Sequence, residues 1–210
     1  MCELVQKEEP KRPRGRPRSF DPDAALDRAR AVFWDLGYAA TSLDDIAQAT
    51  GLNRPSLYGA FGDKHALYMA ALQRTADQSI AAITRGLAAE GSLREVLSAF
   101  YAAAIGVYRA GDAGPRGCFV VGTAVTEAVD DPEVRALLAR YIADCDALFA
   151  ARFEKARAAG DFPAGLPAAA AAPIASAAMH TLAIRARAGD SAEALAAVGE
   201  AAVAMICGPA

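Results

Sequence analysis

The sequence predicts an all-α protein. Apolar residues recur three or four positions apart along most of the chain, as in the run Leu72, Ala76 and Ile80. Residues that favour helix starts, such as Ser42 and Asp63, come directly before such runs. No segment alternates apolar and polar residues well enough to predict a strand. We therefore expect helices to account for the whole fold.

The first predicted helix begins at a proline. Asp21 is a capping residue, and Pro22 suits the first helical position because its missing N–H would be unpaired there anyway. Leu26 and Phe33 belong to an apolar stripe that continues until Gly37. We expect this helix to brace the two shorter helices that follow.

Two short helices joined by a glycine turn are predicted next. Ser42 and Asp45 have the spacing of a capping box, which starts a helix. Gly51 ends it, because glycine adopts the left-handed conformation without a Cβ penalty. Asn53 can cap the next helix, and Leu57 lies on its apolar face. This is the layout of a helix–turn–helix that enters the major groove of DNA.

The remaining helices are longer. Asp63 caps one whose apolar stripe continues to Leu87. The other predicted helices span 92–109, 118–129, 132–159, 173–187 and 191–207. The fourth of these begins at Pro173 or slightly earlier, because a proline makes the start of a helix ambiguous. We expect a flexible basic arm at 1–19, a DNA-binding domain at 20–66 and a ligand-binding and dimerisation domain at 67–210.

Composition limits the function. The 210 residues are 54% hydrophobic and carry a net charge of −3, yet 11–18 holds five basic residues and no acid. The four cysteines lie far apart without a CxxC pair, which argues against a disulfide framework or a metal site. No apolar run is long enough to cross a membrane, so we expect a cytoplasmic protein without a cofactor.

Residues 41–67 resemble the TetR family of transcriptional repressors. The matching positions are Thr41, Ser42, Ile46, Ala47, Gly51, Leu52, Leu57, Tyr58, Phe61, Lys64 and Leu67. Pro55, Gly59 and Ala60 depart from the common family pattern on the surface that would contact bases. The resemblance implies a homodimer that binds a palindromic double-stranded DNA operator and releases it when a small-molecule effector binds.

The expected DNA contacts are of two kinds. Arg54 and Ser56 lie at the exposed start of the recognition helix and are predicted to contact bases. The resemblance gives Tyr58, Lys64 and either Thr41 or Ser42 contacts with phosphates. The full predicted set is Arg14, Arg16, Arg18, Thr41, Ser42, Asn53, Arg54, Ser56, Tyr58 and Lys64.

The arm around Arg14, Arg16 and Arg18 resembles the Arg-Gly-Arg-Pro core of an AT-hook. Arginines on an extended, proline-stiffened backbone suit a narrow A·T minor groove, where the negative potential is concentrated. The alternative is a basic tail that contacts phosphates without base preference, or merely aids solubility.

The C-terminal two-thirds resembles the ligand-binding and dimerisation domain of the family. The aromatic and polar residues expected to line a cavity are Phe100, Tyr101, Tyr108, Cys118, Phe119, Thr123, Tyr141, Phe149, Met179 and His180, although helically spaced aromatics more often form core. The last two helices carry small residues on nearly every turn, which suits a four-helix bundle with a symmetry mate.

Cys118 is the most distinctive cysteine. A thiol at a helix start beside Arg116 has two reasons for a lowered pKa, which would suit a sensor of electrophiles or oxidants. The alternative is a buried, inert thiol.

Two rival functions are considered. An enzyme or carrier with a helical pocket lacks support, because no nucleophile motif, phosphate loop or carboxylate pair is present. An architectural protein would use the arm to bind A·T-rich DNA without a fixed palindrome.

Overall fold

The computed structural model describes residues 20–111 and 114–208. Within these ranges the protein forms nine α-helices and no strand. The helices are α1 (Pro22–Leu36), α2 (Leu43–Thr50), α3 (Arg54–Phe61), α4 (Lys64–Leu87), α5 (Leu93–Arg109), α6 (Phe119–Glu127), α7 (Pro132–Ala158), α8 (Ala168–Ala188) and α9 (Ala192–Cys207). The predicted all-α fold is therefore confirmed.

The caps of the short N-terminal helices have the predicted geometry. Ser42 and Asp45 form both hydrogen bonds of a capping box at the start of α2. Gly51 ends α2 in the left-handed conformation, with φ 72° and ψ 15°. Asn53 then caps α3, because its side-chain oxygen accepts a hydrogen bond from the N–H of Ser56. Local sequence signals thus fix the turn between α2 and α3.

The structure decides the start of α8, which the sequence left open at Pro173 or slightly earlier. The helix begins at Ala168 and passes through Pro173. Alanine has the highest helix propensity, and Ala168, Ala171 and Ala172 are also buried against neighbouring helices. Packing of the alanine face therefore outweighs the loss of one backbone hydrogen bond at the proline.

The core is continuous from the N-terminal helices to the C-terminal ones. Helix α7 packs on α8, and α5 packs on both α8 and α9. Helix α1 packs on α4 and also reaches α6. Aromatic rings connect α1, α4 and α6. The ring of Tyr68 lies 5.1 Å from that of Phe33 and 6.3 Å from that of Phe119, measured between centroids. None of the described helices is long and apolar enough to span a bilayer.

Candidate nucleic-acid interface and internal cavity

Helix α3 buries one residue and exposes most of the others. Leu57 is almost fully buried in the core shared with the neighbouring helices, which fixes how α3 is rotated. Arg54 and Pro55 are exposed, and 51% of Tyr58 is accessible to solvent. Ser56 is half-buried. The first turn of α3 thus presents polar groups outward, in the position that a recognition helix requires.

Arg54, which is predicted to contact bases, is paired with Asp44 in the structure. Its Nε and Nη2 donate to the two carboxylate oxygens of Asp44 on α2, at 2.8 and 2.6 Å. This bidentate pair lowers the pKa of Asp44 below its usual value, chiefly through the hydrogen bond from Arg54. Both side chains are exposed, so water screens the pair. Base contact by Arg54 requires that this pair opens.

Thr41 and Ser42 differ in their accessibility. Thr41 is buried, and its hydroxyl donates to the carbonyl of Gly37 at 2.6 Å, so it is already used within the loop between α1 and α2. Ser42 is exposed, although its hydroxyl belongs to the capping box. Of the two alternatives for a phosphate contact, the structure therefore favours Ser42.

Lys64 holds the loop between α1 and α2 against the start of α4. Its Nζ donates to the carbonyls of Tyr38 and Thr41 at 3.0 and 2.9 Å and lies 4.3 Å from the centre of the Tyr38 ring. Two of its three N–H groups are thus occupied within the protein. The predicted phosphate contact of Lys64 would have to use the third N–H group.

Positive charge is scarce around α3. Residues 20–66 contain seven acidic and four basic side chains, so this unit is acidic overall. The basic run at 11–18 precedes it directly in the chain. The three predicted arm contacts, Arg14, Arg16 and Arg18, lie outside the described residues.

A cavity of about 370 Å³ lies between α4 and α5. Five of the ten residues predicted to line a pocket line it: Phe100, Tyr108, Cys118, Tyr141 and Met179. The wall on α4 is formed by Ser79, Ala82, Ile83 and Gly86, and the wall on α5 by Ala99, Ala103, Ala104 and Val107. Most of these wall residues are small, so the space exists because side-chain volume is missing.

The other five predicted lining residues lie outside this cavity. The Tyr101 hydroxyl donates to the carbonyl of Ala175 at 3.0 Å. Phe119 packs on Trp34, Thr123 accepts a hydrogen bond from Tyr68, Phe149 packs edge-on against Phe100, and His180 lies beside Tyr141. Their types suggested a ligand site, yet neighbouring helices use them as packing groups. The small wall residues were missed because alanine and glycine carry no signal of their own.

The lowered pKa expected for Cys118 is not found in this fold. The thiol is buried, and burial raises its pKa above the ordinary value, which outweighs the hydrogen bonds from the helix start and from Tyr141. Arg116 does not pair with it, because the guanidinium instead binds Asp35 at 3.0 Å. The burial and the raised pKa favour the alternative interpretation of a buried thiol, and the reactivity of Cys118 stays a prediction to be tested.

Two family models match the chain. Residues 25–71 match the model described as bacterial regulatory proteins, tetR family. Residues 93–202 match the model described as the tetracyclin repressor-like C-terminal domain. The second match alone covers more than half of the chain. The protein belongs to the TetR family.

Known TetR-type proteins resemble this chain over different lengths. It is 39% identical over 125 residues to the HTH-type transcriptional repressor ComR of Escherichia coli K12, which is 59% of each chain. It is 32% identical over 127 residues to the uncharacterised HTH-type regulator YezE of Bacillus subtilis 168, covering 60% of this chain and 63% of YezE. The matches thus span about three fifths of these curated relatives.

A solved structure matches almost the entire protein. It is a cysteine variant of the TetR family transcriptional regulator CifR, complexed with 26 base pairs of double-strand operator DNA. The sequences are 32% identical, the TM-score is 0.82, and the match covers 91% of this chain and all of that one.

In this TetR-family protein the N-terminal helices are attached to the C-terminal ones by specific hydrogen bonds. The indole Nε1 of Trp34 donates to the carbonyl of Arg116 at 3.0 Å. Arg187 on α8 donates to the carbonyl of Arg116 at 3.3 Å and to the carbonyl of Trp34 at 3.2 Å. The Nε2 of His65 at the start of α4 lies 2.6 Å from a carboxylate oxygen of Asp131 at the start of α7. These contacts join α1 and the start of α4 to the helices of the C-terminal part.

The TetR-family chain was expected to bind no metal. Among the described residues, no three His, Cys, Asp or Glu side chains are grouped closely enough to hold a metal ion.

Proposed function

We propose that this TetR-family protein is a transcriptional repressor that binds a palindromic operator in the cytoplasm as a homodimer. Its parts would be the basic arm at 1–19, the DNA-binding domain at 20–66 and the effector-binding and dimerisation domain at 67–210. An effector in the cavity between α4 and α5 would release the operator. The observation that carries the proposal is the exposed polar face of α3, held by the buried Leu57.

Similarity supports DNA binding and repression. The CifR variant, at 32% identity, was solved with operator DNA, and ComR, at 39% identity, is a transcriptional repressor. Both proteins are regulators of transcription, which favours a function without catalysis.

Exposed apolar side chains on the last two helices support a dimer. Ile174 and Ile184 on α8 and Met205 on α9 are 50%, 57% and 75% exposed. Such side chains are removed from water when the same face of a second copy covers them, as in a two-fold interface. A two-fold dimer would present two copies of α3 to the two halves of a palindrome.

The position of the cavity supports effector control. Cys118 lies at its deep end, two residues from Arg116, whose carbonyl accepts the hydrogen bond from Trp34. A ligand that displaces this part of the lining would therefore alter how α1 is held. A coupling of about 1 to 3 kcal/mol is enough for a regulatory switch.

The test is selection of DNA from a random pool by the full chain, followed by footprinting. We expect one palindromic sequence to be enriched, with protection of two half-sites separated by about one helical turn. Enrichment of A·T-rich DNA without a fixed palindrome would instead support the architectural alternative. Sedimentation of the free protein should show a dimer at micromolar concentration. A stable monomer would contradict the proposal.

A further inference from the structure

The cavity between α4 and α5 has no charged lining. None of the described residues around it is Asp, Glu, Lys or Arg. Its walls are aliphatic, apart from the hydroxyl of Ser79, the sulfur atoms of Cys118 and Met179, and the aromatic rings of Phe100 and the two tyrosines. The wall residues Ala82, Ala99 and Val107 are exposed, so the cavity opens to solvent on that side. A charged group that reached the buried end, beside Tyr108 and Tyr141, would lose hydration there without gaining a counterion, which is unfavourable.

The deep end of the cavity offers polar groups that are neutral. The Tyr141 hydroxyl and the Cys118 sulfur are 4.0 Å apart, a long contact that leaves the hydroxyl free to turn toward a ligand. Tyr108 lines the same end. Burial raises the pKa of all three groups, so each keeps its proton at neutral pH. A phenol can donate to an uncharged oxygen or nitrogen of a ligand.

The surroundings of this polar end are also uncharged. The ring of His180 packs beside Tyr141, with ring centroids 6.1 Å apart. Both ring nitrogens of His180 are buried without a partner among the described residues. Burial lowers the pKa of His180, which favours the neutral ring at neutral pH. It therefore supplies no cation for an acidic ligand.

We propose that the effector is a neutral, largely apolar molecule with one hydrogen-bond acceptor at the end that reaches Tyr108 and Tyr141. This inference rests on the proposed function, because it names the ligand of the same regulatory cavity. The volume of about 370 Å³ corresponds to about 12 non-hydrogen atoms if each takes about 30 Å³, the share of a water molecule in the liquid. A single ring or a chain of about eight carbons fits within this volume.

Three probes of one length test the charge of the ligand. Calorimetric titration of the full chain would compare 2-octanone, octanoate and octylammonium at neutral pH. We expect the ketone to bind at least tenfold more tightly than either ion. Equal or tighter binding of either ion would overturn the proposal. Failure of the ketone to bind up to its solubility limit would overturn it as well.

A matched pair of variants tests the location. Ala103 lines the cavity and Ala102, its neighbour on α5, does not, while both are exposed and replaceable without disturbing the core. We expect Ala103→Phe to weaken ketone binding at least tenfold and Ala102→Phe to leave it unchanged. An equal effect of the two variants, or no effect of Ala103→Phe, would overturn the assignment to this cavity.

Operator binding without any probe separates this inference from the proposed function. If the ketone binds but no DNA sequence is selected, the proposed function fails and the ligand class stands. If a palindrome is selected but the ketone does not bind, the ligand class fails and the proposed function stands.

Discussion

Trp34 donates a hydrogen bond from its indole nitrogen to the backbone carbonyl of Arg116, across 3.0 Å. The bond joins α1 to the segment that leads into α6. The same indole packs on Phe119, with ring centroids 5.6 Å apart, and Cys118, which precedes Phe119 in the chain, lines the cavity. The helices predicted to contact DNA and the predicted effector cavity are therefore separated by only a few contacting residues.

Replacing the indole should weaken this connection. Trp34→Phe keeps an aromatic ring but removes the N–H, so we expect the free energy of unfolding to fall by about 1 to 2 kcal/mol. Release of the selected operator by 2-octanone should need a higher ketone concentration. Chemical denaturation and a DNA-binding titration in the presence of the ketone measure the two effects.

Arg116→Ala is the matched control for Trp34→Phe. It removes the ion pair with Asp35 and the contact of the guanidinium with the Trp34 ring, 5.9 Å from its centroid, but keeps the carbonyl that accepts from the indole N–H. We expect it to leave the ketone response close to that of the original protein. If Arg116→Ala loses the response as fully as Trp34→Phe, the indole hydrogen bond alone does not carry the coupling.

Deletion of residues 1–18 should weaken DNA binding without affecting folding. Residues 20–66, which follow in the chain, are acidic overall, whereas 11–18 holds five basic residues and no acid, so we expect this run to supply much of the attraction to phosphates. We expect the slope of log affinity against log salt to become shallower by about 0.9 for each phosphate that the arm neutralises in the full chain. The loss of affinity should be largest for operators flanked by A·T pairs. Unchanged affinity would show that the arm does not bind DNA.

Arg54 and Asp44 should give opposite effects on DNA binding. Arg54→Ala removes the predicted base contact, so we expect affinity for the selected operator to fall roughly 5- to 100-fold while affinity for unrelated DNA changes little. Asp44→Asn removes the carboxylate that holds Arg54, so it should raise affinity for both kinds of DNA. Competition titrations measure both. If Arg54→Ala lowered the affinity for unrelated DNA as much as the affinity for the selected operator, the role of Arg54 in base recognition would be refuted.

Cys118 should resist alkylation in the folded protein. Only the thiolate reacts, and burial raises the pKa of this thiol above its ordinary value of 9.0. At a pH of about 8, modification with iodoacetamide should therefore be much slower than in the unfolded chain, as measured by peptide mass spectrometry. Rapid modification of the native protein would restore the sensor hypothesis.

The same shift predicts how stability depends on pH. The folded protein holds the Cys118 proton more tightly than the unfolded chain does, so this contribution is fully present below the ordinary pKa of 9.0 and is lost as the pH rises further. Burial of Cys145, whose pKa is raised to about 12, acts in the same direction. We expect the denaturant concentration at the unfolding midpoint to decrease as the pH is raised from 9 to 12. The decrease should be smaller in Cys118→Ala.

Two glycines distinguish backbone strain from crowding. Gly51 has φ 72°, and a Cβ added there would meet nothing within 4 Å, so Gly51→Ala should cost about 1 to 2 kcal/mol of stability. Gly117 has φ 70°, but a Cβ on it would lie 2.5 Å from the carbonyl oxygen of Ala183 on α8. Gly117→Ala should therefore cost clearly more. If the two variants lowered the thermal unfolding midpoint equally, α8 would have to move away from the added Cβ at position 117 without cost.

Much of the fold could be predicted because its signals are local. Ser42, Asn53 and Gly51 act on backbone groups within a few residues, and the structure shows each of them in the predicted role. Local signals leave the start of α8 open, at Pro173 or slightly earlier. Pro173 is a local signal against helix, and the buried alanines that outweigh it depend on packing against other helices.

The candidate site divides along the same line. The sequence by itself determined that α3 carries Arg54, Ser56 and Tyr58 after a cap and a turn, because caps and apolar spacing act over a single helical turn. Only the tertiary structure decided that Arg54 binds Asp44, and that Arg116 pairs with Asp35 rather than with Cys118. Burial and charge pairing depend on residues distant in sequence, so one segment cannot specify them.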